Sequence, residues 1–310
     1  MTNVAQAARP AAVSPHRPRG GRSGRARSAM SYGFISLYTA LTVAFGILPA
    51  LYALYLAFTD GNGDFAGFAN FTKVVGDFRF LPAVGHVAYF LVVWLIALVV
   101  LVTILAIAVH AIRVRWLGST LRLIFYLPGA LAGASSVLLW LFLLDPTASP
   151  VGGLLRLLGQ SSFVEVIVPA HLPPIFAIIA FWTGAGGWIV IMYGALNNIS
   201  AEVIEAARID GAGPIQIAWR IQLPMLRKWI SYMGIMSLAA GTQLFVEPQL
   251  LSQASNAVVP NDYSLNQLAY QYAFQQNDFN GAAAISMLLL VIALALSALF
   301  VLRGGLFETD

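Results

Sequence analysis

Six stretches of this chain are long and apolar enough to cross a bilayer, and that fact constrains the fold more than any other. A helix needs about 20 predominantly apolar residues to span the hydrocarbon. Tyr32 to Phe58, Val84 to Ile112, Leu121 to Leu144, Pro174 to Leu196, Trp229 to Leu251 and Ala282 to Leu302 all qualify. The runs are continuous rather than alternating, which excludes a membrane β-barrel. With 59% hydrophobic and only 10% charged residues, the composition is far from the quarter or so of charge usual in soluble domains. The expected fold is all-α, with six transmembrane helices. An even number of spans puts both termini on one side.

Orientation follows from the basic residues. With the N-terminus inside, fourteen of the seventeen Lys and Arg fall in cytoplasmic segments. Arg9, Arg17, Arg19, Arg22, Arg25 and Arg27 lie in the first tail, Arg113, Arg115 and Arg122 after the second span, and Arg208, Arg220, Arg227 and Lys228 after the fourth. Arg303 follows the sixth, and only Lys73, Arg79 and Arg156 remain for the outer loops. The positive-inside rule therefore places both termini in the cytoplasm. The net charge of +4 reports topology, because a nucleic-acid surface would need basic residues clustered with aromatic partners. The expected divisions are a disordered basic tail over 1–30, a membrane domain over 31–303 and a short cytoplasmic tail over 304–310. The tail lacks an apolar run, and the first span exceeds a signal-peptide h-region of about 7 to 15 residues. Such a tail can touch anionic lipid, though its usual role is only to hold orientation.

Between the fourth and fifth spans lies a charged interruption, Asn197 to Pro224. Ser200 can cap a first helix, with Glu202 and Glu205 near its positive end. Val203, Ala206 and Ala207 share one nearly flat face. Gly211 and Gly213 end that helix, and Pro214 suits the first turn of a second. Pro224 is expected to close the second helix by removing a backbone donor. A lone amphipathic hairpin of this kind is ordinarily a segment lying on the lipid surface.

The residues Glu205-Ala206-Ala207, Asp210-Gly211-Ala212 and Ile221-Gln222-Leu223-Pro224 resemble, in order and spacing, the EAA loop of binding-protein-dependent ABC importer permeases, in their carbohydrate branch (maltose and glycerol-phosphate type). The chain departs from that pattern in reading Met225-Leu226-Arg227-Lys228 where a further proline is common. Leu244 to Ser252 resembles the Glu-Pro variant at the outer end of the fifth helix in sugar permeases, though Ser252 to Asn256 replaces a Gly-Gly-Pro turn. Tyr270, Phe274, Gly281, Ala282, Ala284 and Ser286 are similar to the start of the family's last helix. The resemblance runs from about Ser31 to Arg303. It implies a type I importer permease architecture in the bacterial cytoplasmic membrane, with the hairpin seated in a cleft of a cytoplasmic ATPase. Glu205 would be the acidic contact and Gly211 the turn. It also implies two ATPase subunits, a second and different permease subunit, an extracytoplasmic binding protein and a sugar substrate.

No P-loop is present: one requires Lys followed by Ser or Thr after a glycine-rich turn, whereas Lys73 and Lys228 precede Val74 and Trp229. ATP and magnesium therefore belong to a partner, and this chain is expected to hold no cofactor. It has no cysteine, no HExxH and no GxSxG, so no catalytic constellation converges. His16, His86, His110 and His171 read as structural. The three outer connections, Asp60 to Pro82, Asp145 to Pro173 and Ser252 to Asn280, can receive a soluble partner, and the second can hold a short helix near Leu154 to Leu158.

For the substrate path, Glu247 is the sharpest candidate, because an ionisable group in a span usually faces a cavity. Its rival reading is snorkelling from the outer boundary. Gln243, one helical turn deeper, extends a polar strip able to bond sugar hydroxyls. Trp140, Trp182 and Trp188 offer flat faces for sugar rings, and equally suit an interfacial belt. Gly129 and Gly133 form a GxxxG pair, read as close helix packing. The competing functions are an importer for a peptide or polyamine, an ion-coupled secondary transporter and a membrane enzyme. The first shares the hairpin, the second usually shows inverted repeats, and the third needs a site that is missing from the sequence.

Overall fold

The computed structural model describes residues 32–303 apart from 34, 113, 132, 256 and 257. The expected tails over 1–30 and 304–310 lie outside the described residues. The chain divides after Tyr52 into a short first unit and the remainder. What is described of the first unit is helix, part of α1 (Ile35–Phe58). The remainder holds α2 (Ala69–Val75), α3 (Phe80–His110), α4 (Arg115–Ala130), α5 (Gly133–Leu143) and α6 (Leu172–Asn197). After these come α7 (Ala201–Ile209), α8 (Pro214–Gly241), α9 (Val246–Ala254), α10 (Leu265–Tyr270) and α11 (Phe279–Arg303). Two short helices, Gly152–Leu157 and Phe163–Val166, lie on the loop before α6. Among the described residues the one β feature is an isolated bridge between Thr59 and Phe65.

Four of the six expected spans are continuous helices, α1, α3, α6 and α11, and the other two are bent pairs. The third, expected to run unbroken from Leu121 to Leu144, is α4 and α5 at 102° to one another. Pro128 lies in the last turn of α4, where it lacks an N–H and its ring would meet the carbonyl of Ile124 in a straight α-helix. The chain tightens there into the 3₁₀ turn Leu127–Ala130. The fifth is α8 and α9, bent by 43°. Pro248 acts in the same way four residues after Leu244, and the helix is interrupted over 242–245.

The core forms where α3 packs along α6. Val87, Leu91, Trp94, Leu98, Val102, Ala106 and Val109 are buried on α3, recurring every three or four residues as one helical stripe. Phe176, Ile179, Ile189 and Met192 answer from α6. The remaining faces of α3 are just as apolar and exposed, Val92, Ile96 and Ile104 among them, as expected of a surface that meets lipid. Close approach of backbones fixes the pairing. A Cβ on Gly186 would stand 2.0 Å from the Phe125 carbonyl oxygen, and one on Gly129 would stand 2.8 Å from that of Thr183. Gly133 has nothing within 4 Å and begins a different helix, so the GxxxG pair is not one packing face. Gly129 keeps the close-packing role, and Gly186 is its counterpart.

A second core joins Ala57, Val74, Phe80, Ala83, Leu268, Tyr272 and Ile285 at the end of the molecule where α3 begins. Polar bonds clasp this region. Lys73 Nζ meets Asp278 at 2.7 Å, and the Arg79 guanidinium pairs with Asp77 at 2.6 Å while donating to Gln271 at 2.9 Å. Tyr272 donates to Asp77 at 2.7 Å, and the Asn280 amide donates to the carbonyls of Leu56 and Thr59 at 3.0 and 2.7 Å. Arg79 holds the Asp77 carboxyl far below its ordinary range. Burial, reinforced by the bond to Asp77, pushes the Tyr272 phenol up to about 12.

Candidate functional site

The charged interruption folds as its residues dictate. The Ser200 side chain accepts the Glu202 backbone N–H at 3.2 Å and so caps α7. At the other end Gly211 takes φ +84°, a conformation in which a side chain would be strained. This turn lets the Ala212 N–H reach the Ala207 carbonyl at 2.8 Å and the Gly211 N–H reach that of Arg208 at 3.0 Å. Those paired bonds are a Schellman stop, which satisfies the carbonyls a helix end leaves bare. Pro214 then opens α8, with the Gln216 side chain accepting the Gly213 N–H at 2.9 Å.

Pro224 does not close the second helix. Ala218–Gln222 is a single π turn in which the Leu223 N–H bonds back to Ala218. Widening the helix just ahead of the proline accommodates the missing donor, and such turns recur at functional positions. The second arm of the hairpin therefore runs without interruption from Pro214 to Gly241. It is continuous with the first part of the fifth span.

Glu205, Ala206, Asp210, Gly211 and Pro224 are exposed, while Ala207, Ile221 and Leu223 are half-buried. Beside them Ile209, Ile215 and Trp219 stand 87%, 83% and 72% exposed, apolar area that water disfavours and a partner would cover. Behind the hairpin a groove of about 850 Å³ separates it from the end of α3, bordered by His110, Ile112, Ile204, Arg208 and Gln222. The Arg122 guanidinium lies over the Tyr193 ring at 3.9 Å, a cation–π contact, and His110 meets that ring edge-on at 5.5 Å. The α3 helix, 31 residues long, separates this end from the clasp by about 45 Å.

The substrate-path candidates disperse. Trp140 and Trp182 pack edge to face at 5.8 Å, and the buried Trp140 indole N–H has no hydrogen-bond partner among the described residues. Trp188 packs edge to face on Tyr232 at 5.7 Å. Glu247 sits half-buried in the first turn of α9. Gln243 lies in the interruption before α9, so the helical count that would stack Gln243 on Glu247 does not hold: the backbone changes direction between them. Gln243 instead lines a cleft of about 330 Å³ between α8 and α11, with Thr242, Asn266, Ser286 and Ser297. The Asn266 amide donates to the Thr242 carbonyl at 3.1 Å, a group freed by the break. Sequence reasoning missed Asn266 because it lies in an outer connection, far from any span in the chain. Among the described residues no three His, Asp or Glu side chains gather as a metal site.

A family profile described as "Binding-protein-dependent transport system inner membrane component" matches residues 103–304, from α3 through the hairpin to the end of α11. The chain belongs to this family. The permease is 29% identical over 282 residues to the multiple sugar-binding transport system permease protein MsmF of Streptococcus mutans, covering 89% of this chain and 95% of that protein. It is 30% identical over 321 aligned positions to the diacetylchitobiose uptake system permease protein NgcF of Streptomyces coelicolor, covering 93% and 87%. A bacterial ABC transporter involved in the import of the acidic polysaccharide alginate has a chain that superposes on the permease with TM-score 0.80 at 19% identity, covering 93% of this chain and 99% of that one. That likeness concerns the fold.

Proposed function

We propose that this permease is one of two membrane subunits of an ATP-driven importer, and that it passes a sugar handed over by an extracytoplasmic binding protein. The observation that carries the reading is the helix from Pro214 to Gly241, which joins the exposed hairpin to a membrane span without a hinge. Glu205, Asp210 and the apolar Ile209, Ile215 and Trp219 would seat in an ATPase subunit, which holds the ATP and magnesium. Closure of two such subunits would move the hairpin as a lever and tilt α8, changing access to a cavity between the two permeases. The second permease would be a different chain, and the sugar preference rests on the relatives named above.

The test is reconstitution of the complete complex with Glu205→Arg or Gly211→Pro. Both variants should insert and assemble in the membrane, yet lose the ATPase activity stimulated by loaded binding protein. Stimulation at the unsubstituted level would rule the lever out.

A further inference from the structure

The start of α4 gathers cations and no acid. Arg115, Ser119 and Arg122 follow one another at four- and three-residue spacing and so share one face of that helix. The chain has no Asp or Glu between Asp77 and Asp145, and among the described residues no carboxylate lies within ion-pair distance of either arginine. Arg122 is half-buried. Its guanidinium lies over the Tyr193 ring at 3.9 Å and, among the described residues, donates one hydrogen bond, to the neutral Ser119 hydroxyl at 3.1 Å. A guanidinium carries five N–H donors, and a contact through its flat face uses none of them. A cation partly removed from water thus keeps most of its donors for an anion that its own neighbourhood does not supply.

The surroundings say what kind of anion. Gly118 is buried, and a Cβ there would stand 4.0 Å from the Val109 carbonyl oxygen, so the start of α4 packs on the end of α3. Tyr193 lies four residues before the end of α6. Both neighbours are ends of spans, and Arg122 therefore sits where hydrocarbon gives way to headgroups. Trp116 on the same helix is 70% exposed, a residue favoured at that boundary. Leu123 follows Ser119 by one turn and Leu127 follows Leu123 by another, so an apolar strip continues directly from the polar face. Leu123, Ile124 and Leu127 are all exposed. Snorkelling alone would bring one arginine to the interface; two on one face with no acid beside them select for negative charge.

We infer that the face made by Arg115, Ser119 and Arg122 holds the phosphate of an anionic phospholipid, whose acyl chains lie along Leu123, Ile124 and Leu127. Basic residues mark the cytoplasmic side, and the leaflet there is the one that presents anionic headgroups to such residues. The site goes beyond the importer reading, because this lipid is not cargo and its binding requires neither sugar nor ATP. Its consequence is positional. A phosphate that fixes Arg122 on Tyr193 ties α4 to the foot of α6, next to where the hairpin begins.

The test uses the complete complex with cysteine-free partners, Leu123→Cys labelled with bimane, and phosphatidylcholine vesicles. Phosphatidylglycerol or phosphatidylethanolamine, brominated in the acyl chains, is added at equal mole fraction and quenching of the label is measured. Phosphatidylglycerol should quench with an apparent affinity at least about fivefold higher. Arg122→Gln should lower that preference by about fivefold, while Arg122→Lys keeps most of it. Arg115→Gln, at an exposed position, should lower it too, and decides the matter if Arg122→Gln fails to assemble. Excess inorganic phosphate should change nothing; abolition of the preference by it would overturn the lipid in favour of a soluble anion. Equal quenching by the two lipids would overturn the site, as would a preference that survives both glutamine variants. Quenching by neither lipid would assign this face to a partner subunit and overturn it as well. Neither uptake nor ATPase activity enters the readout, so the importer reading stands or falls separately.

Discussion

Arg79 and Asp77 show how a few polar atoms can hold an apolar protein together. Their side chains are 19% and 10% exposed, so neither ion is well hydrated, and each depends on its partner. Removing Arg79 leaves the Asp77 carboxylate without its counter-charge, with only the Tyr272 hydroxyl still donating to it from another side chain, which is the costly way to break such a pair. Arg79→Ala should therefore destabilise the detergent-solubilised protein by about 2–3 kcal/mol, read as a lower thermal midpoint. Lys73→Ala should cost much less, because Lys73 is 57% exposed and solvent screens its bond to Asp278. The titrations give the sign of the pH response. Asp77 has a depressed folded pKa, so its contribution is complete above the ordinary carboxylate value near 3.8 and fades as pH falls toward the folded one. Tyr272 is raised from 10.0 to about 12, so its contribution is complete below pH 10 and is lost as pH rises from there through about 12. A thermal midpoint followed against pH should fall at both ends, and Tyr272→Phe should flatten the alkaline limb. At Gly186 the constraint is steric. The Phe125 carbonyl carbon lies 2.5 Å and the Tyr126 Cα 2.6 Å from where a Cβ would stand, and backbone atoms cannot yield as a side chain can. Gly186→Ala should separate α4 from α6 and reduce the yield of folded protein severalfold, whereas Gly187→Ala, with nothing within 4 Å, should be tolerated.

At the scale of elements, the sequence revealed where helices lie better than where they bend. The bounds of α3, α6 and α11 fall within a few residues of the runs that predict them, because a continuous apolar stretch in lipid has to close its backbone hydrogen bonds internally. The breaks in the third and fifth spans were harder to see. Pro128 and Pro248 are visible, but a proline within a span can merely kink it. Pro224 shows the opposite outcome, since a π turn absorbs it and the helix runs on. Which face of a span is buried was equally hard to read. In water an apolar stripe marks the core, but against lipid the exposed face is apolar too, so Trp140, Trp182 and Trp188 could not be sorted into path or packing from the sequence. The hairpin was legible because its charge, capping serine and αL glycine act locally. Its mechanical continuity with α8 was not, and that property can be tested. Three glycines inserted between Gln222 and Leu223 add a flexible joint, each costing the helix about 1 kcal/mol relative to alanine. Membrane insertion and the fold of α7 should persist, while stimulated ATPase falls to its basal level. Stimulation preserved across the joint would mean that the hairpin does not work through α8.

For the whole molecule, the division between its two ends is also a division of chemistry. The hairpin end carries Arg208, Arg220, Arg227 and Lys228, with Arg122 lying over Tyr193 at the foot of α6, whereas the clasp end has Lys73 and Arg79 engaged with Asp278 and Asp77. Basic residues are retained on the cytoplasmic side of a membrane, and those at the clasp are already matched by acids. We therefore expect the hairpin inside and the clasp outside, with the length of α3 between them. The absence of cysteine from this sequence makes this directly measurable, because a thiol introduced is the sole one among these residues. Phe78 and Ile209 are both 87% exposed and lie at opposite ends, so Phe78→Cys and Ile209→Cys differ in side and not in accessibility. In intact cells a membrane-impermeant maleimide should label Phe78→Cys and spare Ile209→Cys, and permeabilisation should equalise the two. The reverse pattern would place the hairpin outside, where a cytoplasmic ATPase could not reach it, and the lever would lose its motor.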